Sequence, residues 1–434
     1  MLDTGSGWLF DGLRFVSFVL LGVLGIKVIA FVTLSYRHER WLDVVSCPVL
    51  TYKPLVSVIV PCYNEEAVIG NCIESLLATY YADIEILIVD DTSSDNTGVI
   101  AKRLAAADSR VQVFQIPRGG KAVALNYGLS QARGEIVVTI DADSALQPNT
   151  IPYLIAPFAD LRVGAVGGNV RVANRRRLLP RQQALEYAMG LNLQRRTFAA
   201  LGCTQVISGT AGAFRRRVLM QVGGFSPDTT VEDMDITVAI SAAGYRVGFT
   251  ALAITYTEAP RSLYDWTRQR YRWIFGGFQV LWKYRRMVFR PSCGRMGMIG
   301  LPFYLVFPWV DVLVSILLFL SVGWAIADGS IVWLAQIYLV LATIHVGLAI
   351  FAFWLDGAES MWLAAMAAID SLWYTPLLSF VTVWAGASFV LRRTPRWLKL
   401  TRHGENGISI APDLFIDLTS DGVVEELIPA ARVA

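Results

Sequence analysis

The chain has 434 residues, 54% of them hydrophobic and 12% aromatic, with only 17% charged and a formal net charge of +3. That charge fraction is low against roughly 25% for soluble domains, and the apolar excess is gathered into long runs, which indicates an integral membrane protein of two or three domains. So small a net charge gives no footprint for nucleic acid. Five scattered cysteines (Cys47, Cys62, Cys72, Cys203, Cys293) and three scattered histidines argue against a disulfide framework or a Cys/His metal site.

The run from Leu13 to Tyr36, about residues 13–35, is long enough to span a bilayer, which takes roughly 20 residues. Lys27 interrupts it, at a cost unless it snorkels or pairs. A cleaved signal peptide is disfavoured, because the run is long and no small-X-small site follows it. Arg37, Arg40 and Lys53 come next, so the positive-inside rule puts this flank in the cytoplasm.

From Pro54 to about Pro260 the composition is that of a soluble α/β domain. Val56–Val60 is a buried strand by its β-branched content, and Pro61–Glu66 is its loop, with a helix from Ala67 onward. Glu85–Val89 is a second strand, ending in Asp90 and Asp91, and Val111–Phe114 a third. A helix over Lys121–Ala132 and a central strand, Glu135–Ile140, follow. Strands alternating with helices predict a parallel sheet with ligands at the strand ends.

The central strand runs into Asp141-Ala142-Asp143. Alternation points both carboxylates to one side, in the usual ligand crevice of an open α/β sheet. Two hard oxygen donors there suit Mg²⁺ or Mn²⁺ holding a diphosphate; solvated acids at a strand end are the alternative. With Asp90, Asp91 and Glu65, the acids cluster enough to require a cation or hydrogen-bond donors. A nucleotide answers this: Asp90 or Asp91 to base or ribose, Asp141 and Asp143 through metal to the diphosphate. Gly119-Gly120-Lys121 opens a helix whose amides and Lys charge suit phosphate. It is not a Walker loop, because Gln115 stands at the first Gly position and Ala122 replaces Ser/Thr.

Val58–Glu65, then Val89-Asp90-Asp91, then Gly120–Asn126, then Asp141-Ala142-Asp143, in this order and spacing, resemble family 2 glycosyltransferases. The resemblance covers roughly residues 55–290. It implies a GT-A fold, Rossmann-like and nucleotide-sugar-binding, and a divalent metal. It assigns the nucleotide-sugar to Tyr63, Glu65, Asp90, Asp91, Lys121 and Asp141, and the metal to Asp141 and Asp143.

Val231-Glu232-Asp233-Met234-Asp235 matches the family's Glu-Asp motif. By that match Glu232 and Asp233 are catalytic, with Asp233 the base that deprotonates the acceptor hydroxyl; an acid pair stabilising a helix N-terminus is the alternative. Several polymer-forming members carry Thr before Glu-Asp. Here the position is Val231, with Thr230 one place earlier. Gln269-Arg270-Tyr271-Arg272-Trp273 matches Gln-X-X-Arg-Trp of membrane polysaccharide synthases. Gln269, Arg272 and Trp273 share a helix face. Arg272 can neutralise the leaving diphosphate, and Trp273 offers a plane for the acceptor sugar; an interfacial anchor is the alternative. Ser208–Arg216 resembles the segment that lines the acceptor site, through Ser208 and Gly209. Gln183–Arg196 reads as a helix with little obvious chemistry, where the family places an acceptor contact.

Ile274–Arg290 mixes aromatics with basic residues, as on a cytoplasmic membrane face. Gly294–Pro308 is expected to be an interfacial or re-entrant piece broken at Pro302 and Pro308. Apolar runs follow at about Trp309–Ala327, Ile331–Leu355 and Met361–Leu391, the last with Pro376 as a potential break. Three spans after a cytoplasmic domain put the tail outside, whereas Arg392, Arg393, Arg396, Lys399 and Arg402 favour a cytoplasmic tail; an even number of crossings reconciles them.

The expected organisation is an N-terminal transmembrane helix and linker (1–50), a GT-A domain (51–265), interfacial helices with Gln-X-X-Arg-Trp (266–308), C-terminal transmembrane helices (309–400) and a polar tail (401–434). The resemblance implies an inverting, processive β-glycosyltransferase of the inner (plasma) membrane, multi-pass, with its catalytic domain cytoplasmic. It would extend a growing polysaccharide from a UDP-sugar and translocate it. Gln-X-X-Arg-Trp followed by Gly276-Gly277 looks most like poly-β-1,6-N-acetylglucosamine synthases, which implies UDP-N-acetylglucosamine. Hyaluronan, chitin and cellulose synthases share these motifs, and a single transfer to a lipid acceptor is the alternative. Expected partners are membrane lipid and an accessory membrane subunit or a second copy, with no nucleic acid.

Overall fold

The computed structural model describes residues 6–45, 52–329, 331–357, 361–393 and 400–405. Cys47, Arg396, Lys399 and the tail acids Asp417, Asp421, Glu425 and Glu426 lie outside the described residues.

A long first helix, α1 (Ser6–Val45), extends beyond the expected apolar run at both ends. Lys27 pairs with Asp311, 3.9 Å away, and lies 5.0 Å over the Phe307 ring. A pairing of this kind is what a charge within an apolar span requires.

The α/β domain then runs β1 (Val56–Cys62), α2 (Ile69–Leu77), β2 (Ile84–Asp90), α3 (Thr97–Ala107), β3 (Val111–Gln115), α4 (Lys121–Gln131), β4 (Ile136–Thr139) and β5 (Ser144–Leu146). It continues with α5 (Thr150–Ile155), β6 (Val163–Val172), α6 (Leu178–Glu186), a π-helical stretch (Tyr187–Leu193), α7 (Gln194–Ala200), β7 (Gly212–Arg215), α8 (Arg216–Gln221), α9 (Glu232–Ala242) and β8 (Arg246–Thr257). The eight strands form one sheet in the order β3-β2-β1-β4-β7-β6-β8-β5.

The expected parallel pairing holds over β3-β2-β1-β4, and β6 and β8 also pair parallel. Beyond it β7 runs antiparallel to both β4 and β6, and β5 antiparallel to β8. The reason lies in the connections. The first half alternates short strands with single crossover helices, as parallel pairing of sequence neighbours needs, whereas β6 and β8 are joined by a longer crossover that itself carries β7.

β1 packs by alternation. Val56, Val58 and Val60 face α2 and its neighbours, while Ile59 faces Ala124, Leu125 and Leu129 of α4. Chain order reverses beside β1, with β2 on one side and β4 on the other. Such a switch point opens a crevice at the carboxyl ends. Tyr63–Glu66 after β1 and Asp141–Asp143 after β4 flank it.

α10 (Leu263–Lys283) starts at Ser262, whose Oγ accepts the Asp265 amide at 3.1 Å. Its far end is held by Lys283, 2.7 Å from Asp235 of α9. It therefore lies along the α/β domain. α11 (Leu301–Asp328), α12 (Ile331–Asp356) and α13 (Ala367–Val390) complete the described helices. Together with α1 they give four candidate spans, by length and composition.

The expected breaks are absent. α11 begins with Pro302 in its first turn and passes through Pro308, so no boundary falls at 308/309, and α13 passes through Pro376. Apolar spans tolerate proline, because neighbouring helices, hydroxyl side chains or local adjustments re-satisfy the backbone it frees. The domain change expected at 265/266 falls inside α10, whose first turn is already helical at Leu263.

α12 ends against the α/β domain, where Asp356 pairs with Arg171 of β6 at 2.8 Å. α13 runs beside α10. Tyr374 accepts the Trp266 indole N–H at 2.8 Å near one end, and Phe389 packs on Phe275, Phe278 and Trp282 near the other.

Candidate active site

The crevice is built from strand ends. Asp90, last in β2, accepts the amide and hydroxyl of Ser93 on Oδ1, at 2.9 and 2.6 Å. Asp91 accepts the Gly119 and Gly120 amides at 2.6 and 2.9 Å. Those amides, expected to meet phosphate, are thus occupied by a carboxylate of the chain. Arg118 lies 3.1 Å over the centre of the Tyr63 ring and 3.5 Å from Asp91. Glu65 starts α2 by accepting the Val68 and Ile69 amides on its carbonyl, and its own amide donates to Thr97 Oγ1 at 2.7 Å.

Lys121, first in α4, joins two motifs. Its Nζ lies 2.6 Å from Asp141 and 2.8 Å from Glu232. Burial works against its charge, but Asp141, Glu232 and Asp233 together raise its pKa well above the ordinary lysine value. Gly209 belongs to the same spot, since a Cβ there would stand 2.7 Å from Lys121 Nζ. Ser208 turns aside to share a hydrogen bond with Thr210, 2.7 Å.

Asp233 stands at the start of α9 and accepts the Met234 amide at 2.8 Å. Burial, then the charge of Glu232, push its pKa up to about 6, against the pull of Lys121. A carboxylate so tuned is a competent base near neutral pH.

α10 brings the remaining residues to this motif. A Cβ on Gly276 would stand 2.6 Å from Thr230 and 2.7 Å from Val231, so only glycine lets α10 lie this close. The Thr230 hydroxyl donates to the Arg272 carbonyl at 3.3 Å, and its amide to Gln279 at 2.9 Å. The hydroxyl before Glu-Asp therefore ties the two motifs together. The Arg272 side chain is half-buried and has no ion-pair partner among the described residues. Gln269 is buried and accepts from Arg270 at 2.6 Å. Arg270 pairs with Glu186 and lies 4.2 Å from the Trp273 ring centre. The segment 183–196 thus contributes Glu186, the anchor of this arrangement, which its sequence did not signal.

Asp143 is buried, forms an ion pair with Arg402, and lies 3.4 Å from Thr257 Oγ1. Asp141 and Asp143 therefore each carry a cation of the chain. Among the described residues no three His, Cys, Asp or Glu side chains converge as a ligand set. Asp141 and Asp143 offer two hard oxygen donors, the kind that Mg²⁺ or Mn²⁺ takes.

Residues 57–223 match the family described as glycosyl transferase family 2. Poly-β-1,6-N-acetyl-D-glucosamine synthase of Staphylococcus aureus (strain COL) is 32% identical over 227 residues, 52% of this chain and 55% of that protein. The enzyme of the same name from Staphylococcus epidermidis is 32% identical over 228 residues. The chain spans about half the length of these curated relatives. Among solved structures, the mannosyltransferase PcManGT from Pyrobaculum calidifontis, in complex with GDP-Man and Mn²⁺, superposes with a TM-score of 0.57. It is 26% identical, and the match covers 82% of this chain and 98% of that one. Over residues 57–223, which carry most of its mixed GT-A-like sheet, the chain is similar to glycosyl transferase family 2.

Proposed function

We propose that the protein is an inverting, processive β-glycosyltransferase that polymerises a UDP-sugar, UDP-N-acetylglucosamine first among candidates, and passes the product across the membrane. The observation that carries this is the Gly276 contact, which presses the Gln-X-X-Arg-Trp helix onto the Glu232-Asp233 motif. Base, diphosphate cations and acceptor platform then share one crevice. The synthase relatives supply the choice of sugar.

In this reading Asp233 takes the proton of the acceptor hydroxyl. The hydroxyl oxygen bonds to the sugar C1 from the face opposite the diphosphate. The C1–O bond to the diphosphate breaks, and the UDP leaves with its electron pair. Lys121 and Arg272 offset the charge that develops there. A bound Mg²⁺ or Mn²⁺, held by Asp141 and Asp143, would supply further charge compensation.

Membrane embedding follows from the four apolar helices. α11 leaves the α/β domain and α12 returns to it at Asp356, which supports a crossing hairpin. α13 stays beside α10, which favours an in-plane helix despite its length. Two crossings after the transferase domain then return the chain to the cytoplasmic side, in keeping with its basic flank.

The test is product analysis. Purified protein in lipid, given Mn²⁺ and a panel of labelled UDP- and GDP-sugars, is expected to make long polymer from UDP-N-acetylglucosamine. A single-sugar lipid product would refute processivity. Turnover of GDP-mannose instead is the second reading, favoured by the mannosyltransferase likeness.

A further inference from the structure

The segment after α13 comes back to the donor crevice. The carboxylate of Glu258, only 2% exposed, accepts the His403 amide at 3.0 and 3.1 Å and the Glu405 amide at 3.3 Å. Arg402 donates to the Glu258 carbonyl at 2.6 Å, and Glu405 pairs with Arg261 at 2.5 Å. Gly404, with φ of 76°, lies so near the loop after β1 that a Cβ would stand 2.8 Å from the Ala67 carbonyl oxygen. Residues 401–405 are thus strapped between the end of β8 and the donor loop. From this strap Arg402 forms its ion pair with Asp143.

A guanidinium on Asp143 and a divalent cation on the same carboxylate are alternatives, because two cations at one carboxylate repel. We propose that the strap is a latch: Arg402 is the chain's own counter-cation at Asp143, and a divalent ion enters only in exchange for it. The exchange couples loading of the site to release of the strap. Lys121 and Arg402 balance the acidic pair while the crevice is empty and closed, and the extra positive charge that a divalent ion brings is left for the donor diphosphate to meet. The latch rests on the metal site of the proposed function.

Two measurements on the full-length protein in nanodiscs test it, both without turnover. The first is Mn²⁺ binding by electron paramagnetic resonance, with no nucleotide present. Arg402→Gln is expected to tighten Mn²⁺ binding about tenfold or more, since removing a neighbouring positive charge is worth at least that at such range. Asp143→Asn is expected to abolish the gain. No gain in Arg402→Gln, with binding still lost in Asp143→Asn, overturns the latch and leaves the metal site standing. A gain that survives Asp143→Asn overturns both. The second is hydrogen exchange at the His403 and Glu405 amides. Adding Mn²⁺ with UDP is expected to speed their exchange as the strap lets go. Slower exchange would make the strap a clamp over the loaded donor, and would overturn the latch.

Discussion

Gly276 of α10 meets Val231, the residue before the Glu-Asp motif, with no room for a methyl group: a Cβ there would stand 2.7 Å from both Val231 Cγ atoms. This close approach sets the distance between Asp233 on one side and Arg272 and Trp273 on the other. Gly276→Ala should push α10 outward by a fraction of an ångström or more. Misplacement on that scale can cost on the order of 10²-fold in rate. The expected outcome is a fall in kcat with UDP affinity nearly unchanged, measured by turnover beside nucleotide titration.

In the proposed function Asp233 gives the reaction its pH dependence. Burial and Glu232 hold its pKa near 6, above the ordinary aspartate value, so the protonated form persists to higher pH. A base must be ionised to act. The rate should therefore fall as pH drops through about 6, by about tenfold per pH unit at the acid end. Asp233→Asn should remove that limb and lower kcat by about 10²–10⁴-fold. A pH–rate profile of both proteins checks this. An unchanged acid limb in the variant would assign it to another group.

The donor half of the site could be read from sequence because its signals are local. β-Branched runs such as Val56–Val60 and Glu85–Val89 end in acids, and Lys121 opens a helix after two glycines. What could not be read depends on distance along the chain. Arg270 and Glu186 are 84 residues apart, and nothing in either segment announces the pair. Arg402 read as one of a basic flank beside a membrane, whereas its position on Asp143 depends on Glu258 catching the backbone of the following residues. Pro308 and Pro376 read as breaks because a helix interior loses about 3 kcal/mol to proline, yet α11 and α13 run through them.

The fusion of membrane and catalytic parts can be tested at Asp356. It and Arg171 are both buried, and Asp356 also accepts from Asn169 at 2.6 Å. Asp356→Ala removes the carboxylate that faces the Arg171 guanidinium at 2.8 Å, and breaking a buried pair of this kind typically costs about 3–5 kcal/mol. The melting temperature in detergent should drop by several degrees. A variant melting like the parent would mean that water already compensates Arg171.

The two acids after β4 differ in their partners, and their variants should differ too. Asp143→Asn should weaken Mn²⁺ binding and turnover together. Asp141→Asn also frees Lys121 from one of its two carboxylates, so the ammonium can swing toward Glu232. UDP affinity should therefore change more than with Asp143→Asn. Excess chelator should stop turnover in the parent protein. Full activity in chelator would remove the metal from the reaction.

In the proposed function Trp273 separates polymer formation from single transfer. One side of its ring is taken by Arg270, 4.2 Å from the ring centre, and Arg270 is held in turn by Glu186. The ring also packs on two apolar clusters, and its half-exposed remainder is where the proposed function puts the acceptor sugar. Trp273→Ala should shorten the product while nucleotide-sugar binding persists, because the charges on the donor side belong to Lys121, Arg272 and Asp141. The stacking face is worth a few kcal/mol at most, by the burial of a large aromatic. Arg272→Lys should lower kcat more than its chemistry suggests, since an ammonium cannot reproduce the planar fork of a guanidinium on a diphosphate. Radiolabelled product length, read beside UDP affinity for both variants, gives the answer. Chains of normal length made at a normal rate by Trp273→Ala would reduce the tryptophan to an anchor for Arg270 and leave the acceptor platform to other residues of the crevice.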